Sequence, residues 1–549
     1  MKYISLLKPA ILGVALLLTN PFLSGAQKAD GGHFTFTWGE EYELPKRHDD
    51  LGFIGNAQDG YIQVSHDYRN SLSFQKFDNK LHLTGETETD LSNLPRGYGS
   101  ELITELGNQY YWFFSTWDKG EDKEALFAQE IDIKKGKLKG SAREIVSTSK
   151  IASGLTWTSG MMWGARPQVV DVDRKWNFYY SFDNSKVLVE YRKKPERRND
   201  RINNDVIGFQ VFDERMQKLW SREIRMPYTE EKMDNEDYSV DSHGNIYMLA
   251  KVYDEKRSRD RKRPNYHFEI LKWSKEKEDV TIIPFKFMDK FVNSAYVTED
   301  ANGNILVGGY YTTRRNSGST DGVFLLKLDD ATGEMNKVMK GIYPFPTNVM
   351  QQYESARTRR RMERKEEKGE VEDANLMLRN IVLKADGSIQ IFGEEAYSVT
   401  TTYYTGRTSY TRTSYYYNDI MAMEIGSDGE MRWVKKIPKS QQGSAGRGGM
   451  SFKSFNYKED TYFFFMDNKK NLDIQKDETP ATHQDGAGGI LMAVKVDHDG
   501  KVSKNMVFDV REDKLNLTVA NFNKVDFNQM IVRGRAKRRD SQAALITFE

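Results

Sequence analysis

Between Arg379 and Pro438 the chain reads RNIVLKADGSIQIFGEEAYS, then a long polar insert, then NDIMAMEIGSDGEMRWVKKIP. The first part is a short apolar strand, an Asp-Gly turn and a second strand. The second part repeats that grammar and ends its last strand in Trp433. Asp-Gly suits a tight hairpin because glycine tolerates φ > 0 and aspartate hydrogen-bonds its own backbone. One unit is therefore four antiparallel strands, A to D.

The unit recurs along the chain. A–B hairpins are read at GFIGNAQDGYIQVSHD from Gly52, ELITELGNQYYWFFSTWD from Glu101 and VVDVDRKWNFYYSFD from Val169. Others start at Tyr238, Ala295, Phe452 and Phe522. C–D hairpins start at Ser73, Leu126, Ile207, Phe268, Gly322 and Ile490. Each alternates apolar and polar residues, as half-buried strands do. The segment AALITFE (Ala543 to Glu549) reads as a C strand with no D strand after it, and FTFTWGEEYELP (Phe34 to Pro45) as a D strand with no C strand before it. Joining the two closes a ring and removes a free sheet edge. The expectation is an all-β propeller of about eight four-stranded blades, with seven as the alternative, its last blade completed by the N-terminal strand.

The C–D hairpins LKLDDATGEMNK (Leu326 to Lys337), FDERMQKLW (Phe212 to Trp220) and EIGSDGEMRW (Glu424 to Trp433) resemble the repeat of quinoprotein-like β-propellers. That repeat has an Asp, a Thr-Gly or Gly turn, and a Trp a few residues later. Asp329, Thr332 and Gly333 match the turn, while Lys337 replaces the Trp in that unit. The family includes quinone-dependent dehydrogenases, which use a vicinal cysteine pair, and non-catalytic scaffolds that assist outer-membrane protein assembly. With no cysteine in this chain, the resemblance implies the non-catalytic branch and no cofactor.

Met1 to Ala26 reads as a secretory signal: Lys2 and Lys8 precede or flank the apolar run Ile11 to Leu18, and Ser24-Gly25-Ala26 supplies the cleavage site. The mature chain, 27–549, is expected to be one propeller domain in the periplasm or outside the cell. The lack of cysteine rules out a lipoprotein anchor, disulfides and thiolate metal sites. With Ala543 to Glu549 read as the closing strand, no separate C-terminal sorting domain is expected. Lys+Arg (81) and Asp+Glu (80) nearly cancel, which disfavours nucleic acid as partner.

The B–C and D–A connections read as long and the A–B and C–D turns as short, so insertions fall on one face of the ring, the usual working face of a repeat array. These insertions carry Arg192, Arg197 and Arg201, then Arg259, Arg261 and Arg263, then Arg314. A stretch at about 348–368, rich in Arg, Gln and Glu, reads as a helix. The insert 397–418, YSVTTTYYTGRTSYTRTSYYYN, reads as a long hairpin turning near Gly406 and carrying Tyr403, Tyr404, Arg407, Tyr410, Arg412 and Tyr416. Arginine forks grip carboxylate, sulfate or phosphate, and exposed tyrosine gives rigid amphipathic contact area. Against this stands the plain reading that basic loops pair with their own acidic neighbours and that the tyrosines only stiffen the hairpin.

No zinc, P-loop or nucleophile-elbow motif is present. Asp497-His498-Asp499-Gly500 resembles the start of a calcium loop, but Phe508 stands where the bidentate Glu belongs, so it reads as a hairpin turn. Two functions follow. One is an exported, non-catalytic envelope scaffold offering its loop face to a protein or an anionic glycan. The other is a propeller enzyme acting on carbohydrate, which requires two convergent carboxylates.

Overall fold

The structure, a computed structural model, describes the chain from residue 27 to 549, apart from 29–33, 47, 68–70, 95–97, 153–174, 255–263, 288–289, 314–319, 330–331, 368–375, 406–407, 445, 514 and 536–539. The signal-peptide reading, together with Arg259, Arg261, Arg263, Arg314 and Arg407, lies outside the described residues.

Strands B and C of most units are buried along nearly their whole length, as in Ile305–Thr312 and Asp460–Asp467. A strand buried on both faces must have packed layers on both sides. The D strands do not: Leu83–Asp90 exposes Thr84, Glu86 and Glu88. Central strands between neighbouring sheets and outer strands facing water are the two environments of a propeller blade.

Among the described residues the strands form eight sheets, antiparallel throughout except for one short parallel pair in the sixth blade. Blade 1 is the meander His48–Asn56, Gly60–Asp67, Ser71–Phe77 and Leu83–Asp90. Blade 8 joins Asn516–Asp526, Gln529–Arg535 and Asp540–Phe548 to the N-terminal strand Phe34–Glu43. The closing register runs from Phe34 opposite Phe548 to Glu43 opposite Asp540, with a bulge between Trp38 and Glu41. The apolar core repeats that order. Eight large clusters each combine side chains from two adjacent blades: Ile54, Val64, Trp112 and Phe114 between blades 1 and 2, and Tyr42, Tyr61, Ile531 and Leu545 between blades 8 and 1. With one wedge at every junction, the ring has eight blades and is closed. Each buried Leu, Phe or Ile contributes roughly 1.5–3 kcal/mol.

The short turns share one chemistry. Asp78, Asp213, Asp241, Asp300 and Asp497 each accept, through Oδ1, the backbone N–H groups two and four residues on. The fourth turn residue has positive φ: Gly244, Gly303 and Gly500, but also Leu81 and Met216. Those two sit in left-handed backbone because their side chains fill inter-blade wedges. Asp497 to Gly500 is such a turn.

Three sequence expectations need correction. The hairpin read at Val169 is displaced: Asn177–Tyr180 is strand A of blade 3, not strand B, and it pairs with Lys186–Arg192. The true turn has no glycine, and Asn184 supplies its positive φ of 56°. The helical insert is two helices, Thr347–Met350 and Ala356–Glu366, broken at Tyr353, where φ is 63°. Finally, not every B–C and D–A connection is long. The link between Lys218–Thr229 and Met233–Val240 spans only 230–232, and the B–C links of the first two blades are 68–70 and 119–122.

Candidate binding face

A four-strand meander puts every B–C and D–A connection on one face of the ring, so the insertions of blades 3 to 7 share a face with the blade 6 hairpin. Strand B of blade 6 (Ile389–Thr405) follows strand A only as far as Glu395, paired with Leu376. From there it continues with strand C (Thr408–Ile425) as a two-stranded arm, registered from Ala396↔Tyr417 to Thr405↔Thr408. High β-propensity of Thr and Tyr keeps both strands extended.

Alternation sorts the side chains. Tyr397, Val399, Thr401 and Tyr403 share one side of the arm with Tyr416, Ser414, Arg412 and Tyr410. Tyr397 stacks on Tyr416 at 4.8 Å and Tyr403 on Tyr410 at 5.0 Å, with rings within 16° of parallel. At about 3.4 Å per residue the two stacks lie ~20 Å apart along the arm. Cross-strand rings stacked face to face stand upright on the sheet, so an approaching molecule meets their edges and hydroxyls. Tyr410 is 56% exposed, Tyr403 42% and Val399 44%. On the opposite side Thr400 and Thr413 hydrogen-bond at 2.9 Å.

The root is rigid. Where strand D leaves strand C at Ile420, strand Gln441–Gly443 takes over and pairs with Tyr415–Tyr417. His483–Gln484, from the B–C connection of blade 7, adds in parallel to that strand. Beneath it lies a buried polar cluster. Glu394 accepts from Lys439 Nζ at 2.6 Å through Oε1, and from Arg379 at 2.6 Å and Ser451 Oγ at 2.8 Å through Oε2. Lys439 also donates to Tyr417 O at 2.8 Å and Gln441 Oε1 at 3.1 Å. Burial alone would raise the Glu394 pKa, yet Lys439 and Arg379 hold it below the usual carboxylate range. Burial pulls Lys439 down, but its three N–H donors meet three acceptors, which fits an ammonium. Lys436 Nζ ties the same root to the helical insert through Met350 O at 3.0 Å and Glu354 at 2.8 Å.

The expected arginines divide. Arg192 is not open to an external anion: its guanidinium lies 2.6 Å from Asp205, 3.2 Å from Asp200 and 3.5 Å from Glu230. Lys193 pairs with Glu223 in the same loop region. The plain reading therefore holds there. Arg197 and Arg201 are exposed, on a loop fixed by Asn203, whose amide bonds the Arg197 backbone on both sides. Arg412, Tyr403 and Tyr410 are exposed on the arm. Tyr416 is half-buried and accepts from Gln442 Nε2 at 3.2 Å, while for Tyr404 only the backbone, opposite Ser409, is described. Sequence reading missed Arg379, Glu394, Lys439, Gln441 and Ser451. The segment KSQQGSAGRGGMS has no alternation to signal a strand, and nothing local marks Lys439 as buried.

Among the described residues no group of three or more His, Asp or Glu is placed to hold a metal, and no helix is long and apolar enough to cross a membrane. A cleft of about 260 Å³ lined by Lys272, Lys277, Asp279 and Asp329 opens on the other, short-turn face.

Sequence comparison finds no matching family model and no matching curated protein. Solved structures with a similar course include the β-propeller domain of the Trilobed protease from Pyrococcus furiosus, at 10% identity over 84% of this chain and 96% of that one, with a TM-score of 0.33. A polysaccharide lyase of the ulvan lyase family matches at 11% identity over 81% and 91%, with a TM-score of 0.37. A prolyl endopeptidase matches at 8% identity over 89% of this chain and 55% of its own, also at 0.37. Identities this low say nothing of this chain's chemistry.

Proposed function

We propose that this chain is a non-catalytic binding scaffold, exported to the cell envelope, that offers its long-loop face to a protein partner. The observation that carries this reading is the blade 6 arm: exposed, stacked tyrosines held out from the ring on a root fixed by the buried Glu394–Lys439–Arg379 cluster. A rigid aromatic arm loses little conformational freedom on binding. Upright ring edges and hydroxyls suit a polypeptide, which supplies carbonyl acceptors for the tyrosine hydroxyls. With Arg192 held by its own acids, the case for an anionic glycan rests, among the described residues, on Arg197, Arg201 and Arg412. Among the buried carboxylates, Glu394, Glu424 and Glu299 have both oxygens occupied by donors within the chain, whereas Glu269 and Asp467 each keep one oxygen without a hydrogen-bond partner, and these two are where the alternative of a propeller enzyme acting on carbohydrate would be sought.

The test replaces Val399–Ser414 by an Asn-Gly turn, keeping the root pairs Tyr415–Tyr417. Mature wild type captures a protein from solubilised envelope, and the shortened arm loses it while a Lys277→Glu variant of the opposite face retains it. Equal capture by all three overturns the reading.

A further inference from the structure

The arm has an open backbone edge, and the sequence along that edge is complementary to itself. Strand Gln441–Gly443 covers strand C of blade 6 only up to Tyr415. Above that point, from Thr408 to Ser414, no strand among the described residues pairs with its outer side. An uncovered edge presents a row of unmet N–H and C=O groups and is a template for another strand.

The other outer edges of this ring carry protection. Strand Leu83–Asp90 exposes glutamates, Lys218–Thr229 carries Lys218, Arg222, Arg225 and Pro227, and Thr281–Phe285 is short and contains Pro284. The closing strand Phe34–Glu43 has Gln27–Lys28 laid against it. Thr408 to Ser414 has no proline, no glycine and a single charge, Arg412.

Read as TSYTRTS, this segment is nearly palindromic about Thr411. Placed antiparallel to a second copy across a two-fold axis at Thr411, it sets Tyr410 opposite the partner's Arg412, Ser409 opposite the partner's Thr413, and Thr408 opposite the partner's Ser414. Both charges then face an aromatic ring rather than each other. Tyr410 already stacks on Tyr403 at 5.0 Å, close to the spacing of neighbouring strands. The partner's guanidinium falls on the outer face of the Tyr410 ring at the next step of the same ladder, a cation–π arrangement made twice. The open stretch is also the length of the palindrome, since it ends at Ser414, one residue before strand Gln441–Gly443 begins to cover Tyr415.

We infer that the blade 6 arm is a homodimerisation element: two copies of this chain join by edge pairing of Thr408 to Ser414 into one four-stranded sheet. All four arm strands then present their tyrosines on the same side, so the partner-binding reading above neither requires nor forbids the dimer.

The chain has no cysteine, so a single introduced one reports unambiguously. Two-fold pairing brings the Thr411 Cα atoms of the two copies to about 4.5–5.5 Å, within disulfide reach, but leaves the Thr413 atoms ~14 Å apart. Under mild oxidation at micromolar concentration, Thr411→Cys forms covalent dimer about tenfold or more faster than Thr413→Cys. In sedimentation, wild type is a dimer. Tyr410→Lys, which opposes two pairs of like charges, dissociates about tenfold more readily. Tyr410→Glu, which opposes Arg412 with a carboxylate, stays dimeric. Neither tip variant changes the melting temperature of the ring. A monomeric wild type, a dimer indifferent to Tyr410→Lys, or equal oxidation rates at Thr411→Cys and Thr413→Cys each overturn the inference.

Discussion

Lys439 Nζ lies 2.6 Å from Glu394 Oε1, and neither side chain touches solvent. Glu394 stands on strand B of blade 6, near where the strand leaves the ring, and Lys439 begins the strap that buttresses the arm. The pair therefore fixes the direction of the arm relative to the propeller.

Breaking that pair is expected to be costly. Lys439→Met leaves Glu394 buried with Arg379 and Ser451 but without its ammonium, and destabilises by about 3–5 kcal/mol. Adding Glu394→Gln to that variant costs less than Glu394→Gln alone, because the Lys439 ammonium it would strand is already gone, while Arg379 loses its carboxylate in both backgrounds. Urea denaturation of the singles and the double measures this. Additive costs would show that the two residues act independently.

Gly500 tests the packing of one blade on the next. Its φ is 75°, and a methyl group there would lie 2.6 Å from Trp433 Cγ on strand D of blade 6. Gly500→Ala combines backbone strain with that overlap, for an expected cost of about 2–4 kcal/mol. In a Trp433→Leu background the cost falls by the overlap contribution. An equal cost in both backgrounds would mean the strain is purely local.

Asp467 gives the fold a pH dependence. It is 1% exposed, and its Oδ2 has no hydrogen-bond partner. Burial pushes its pKa up to about 7. The folded chain holds this proton up to that pH, whereas the unfolded chain releases it near pH ~4. Stability from this group thus falls as pH rises from about 4 to 7 and is flat above. Asp467→Asn keeps an acceptor for Asn468 N and Asn471 Nδ2, each now at 2.8 Å. It should remove that slope and raise the urea midpoint at pH 8 relative to wild type. An unchanged slope would place the titration elsewhere.

Propeller architecture was legible in the sequence because its signals are local and repeated. Asp-Gly turns are written in consecutive residues, and Phe34 and Ala543 each lie on a strand that reads as short of a partner. Blade 3 slipped because its A–B turn uses Asn184 where the copies in blades 1, 2, 4, 5 and 6 use glycine. The site was legible only in part. Tyr403 and Tyr410 announce themselves by composition, but their stacking depends on register. Arg192 looked free because Asp200, Asp205 and Glu230 reach it only after the loop folds back. Lys439 is one lysine among many until tertiary packing buries it.

The most direct measurement replaces Tyr403, and separately Lys277 on the opposite face, with a photo-crosslinking phenylalanine analogue and irradiates intact cells. The account predicts a discrete heteromeric adduct from the Tyr403 position, reduced by an excess of wild-type chain but not by an excess of the chain with Val399–Ser414 shortened, and none from the Lys277 position. Adducts from Lys277 alone, or no heteromeric adduct at Tyr403, would contradict a binding arm on the long-loop face.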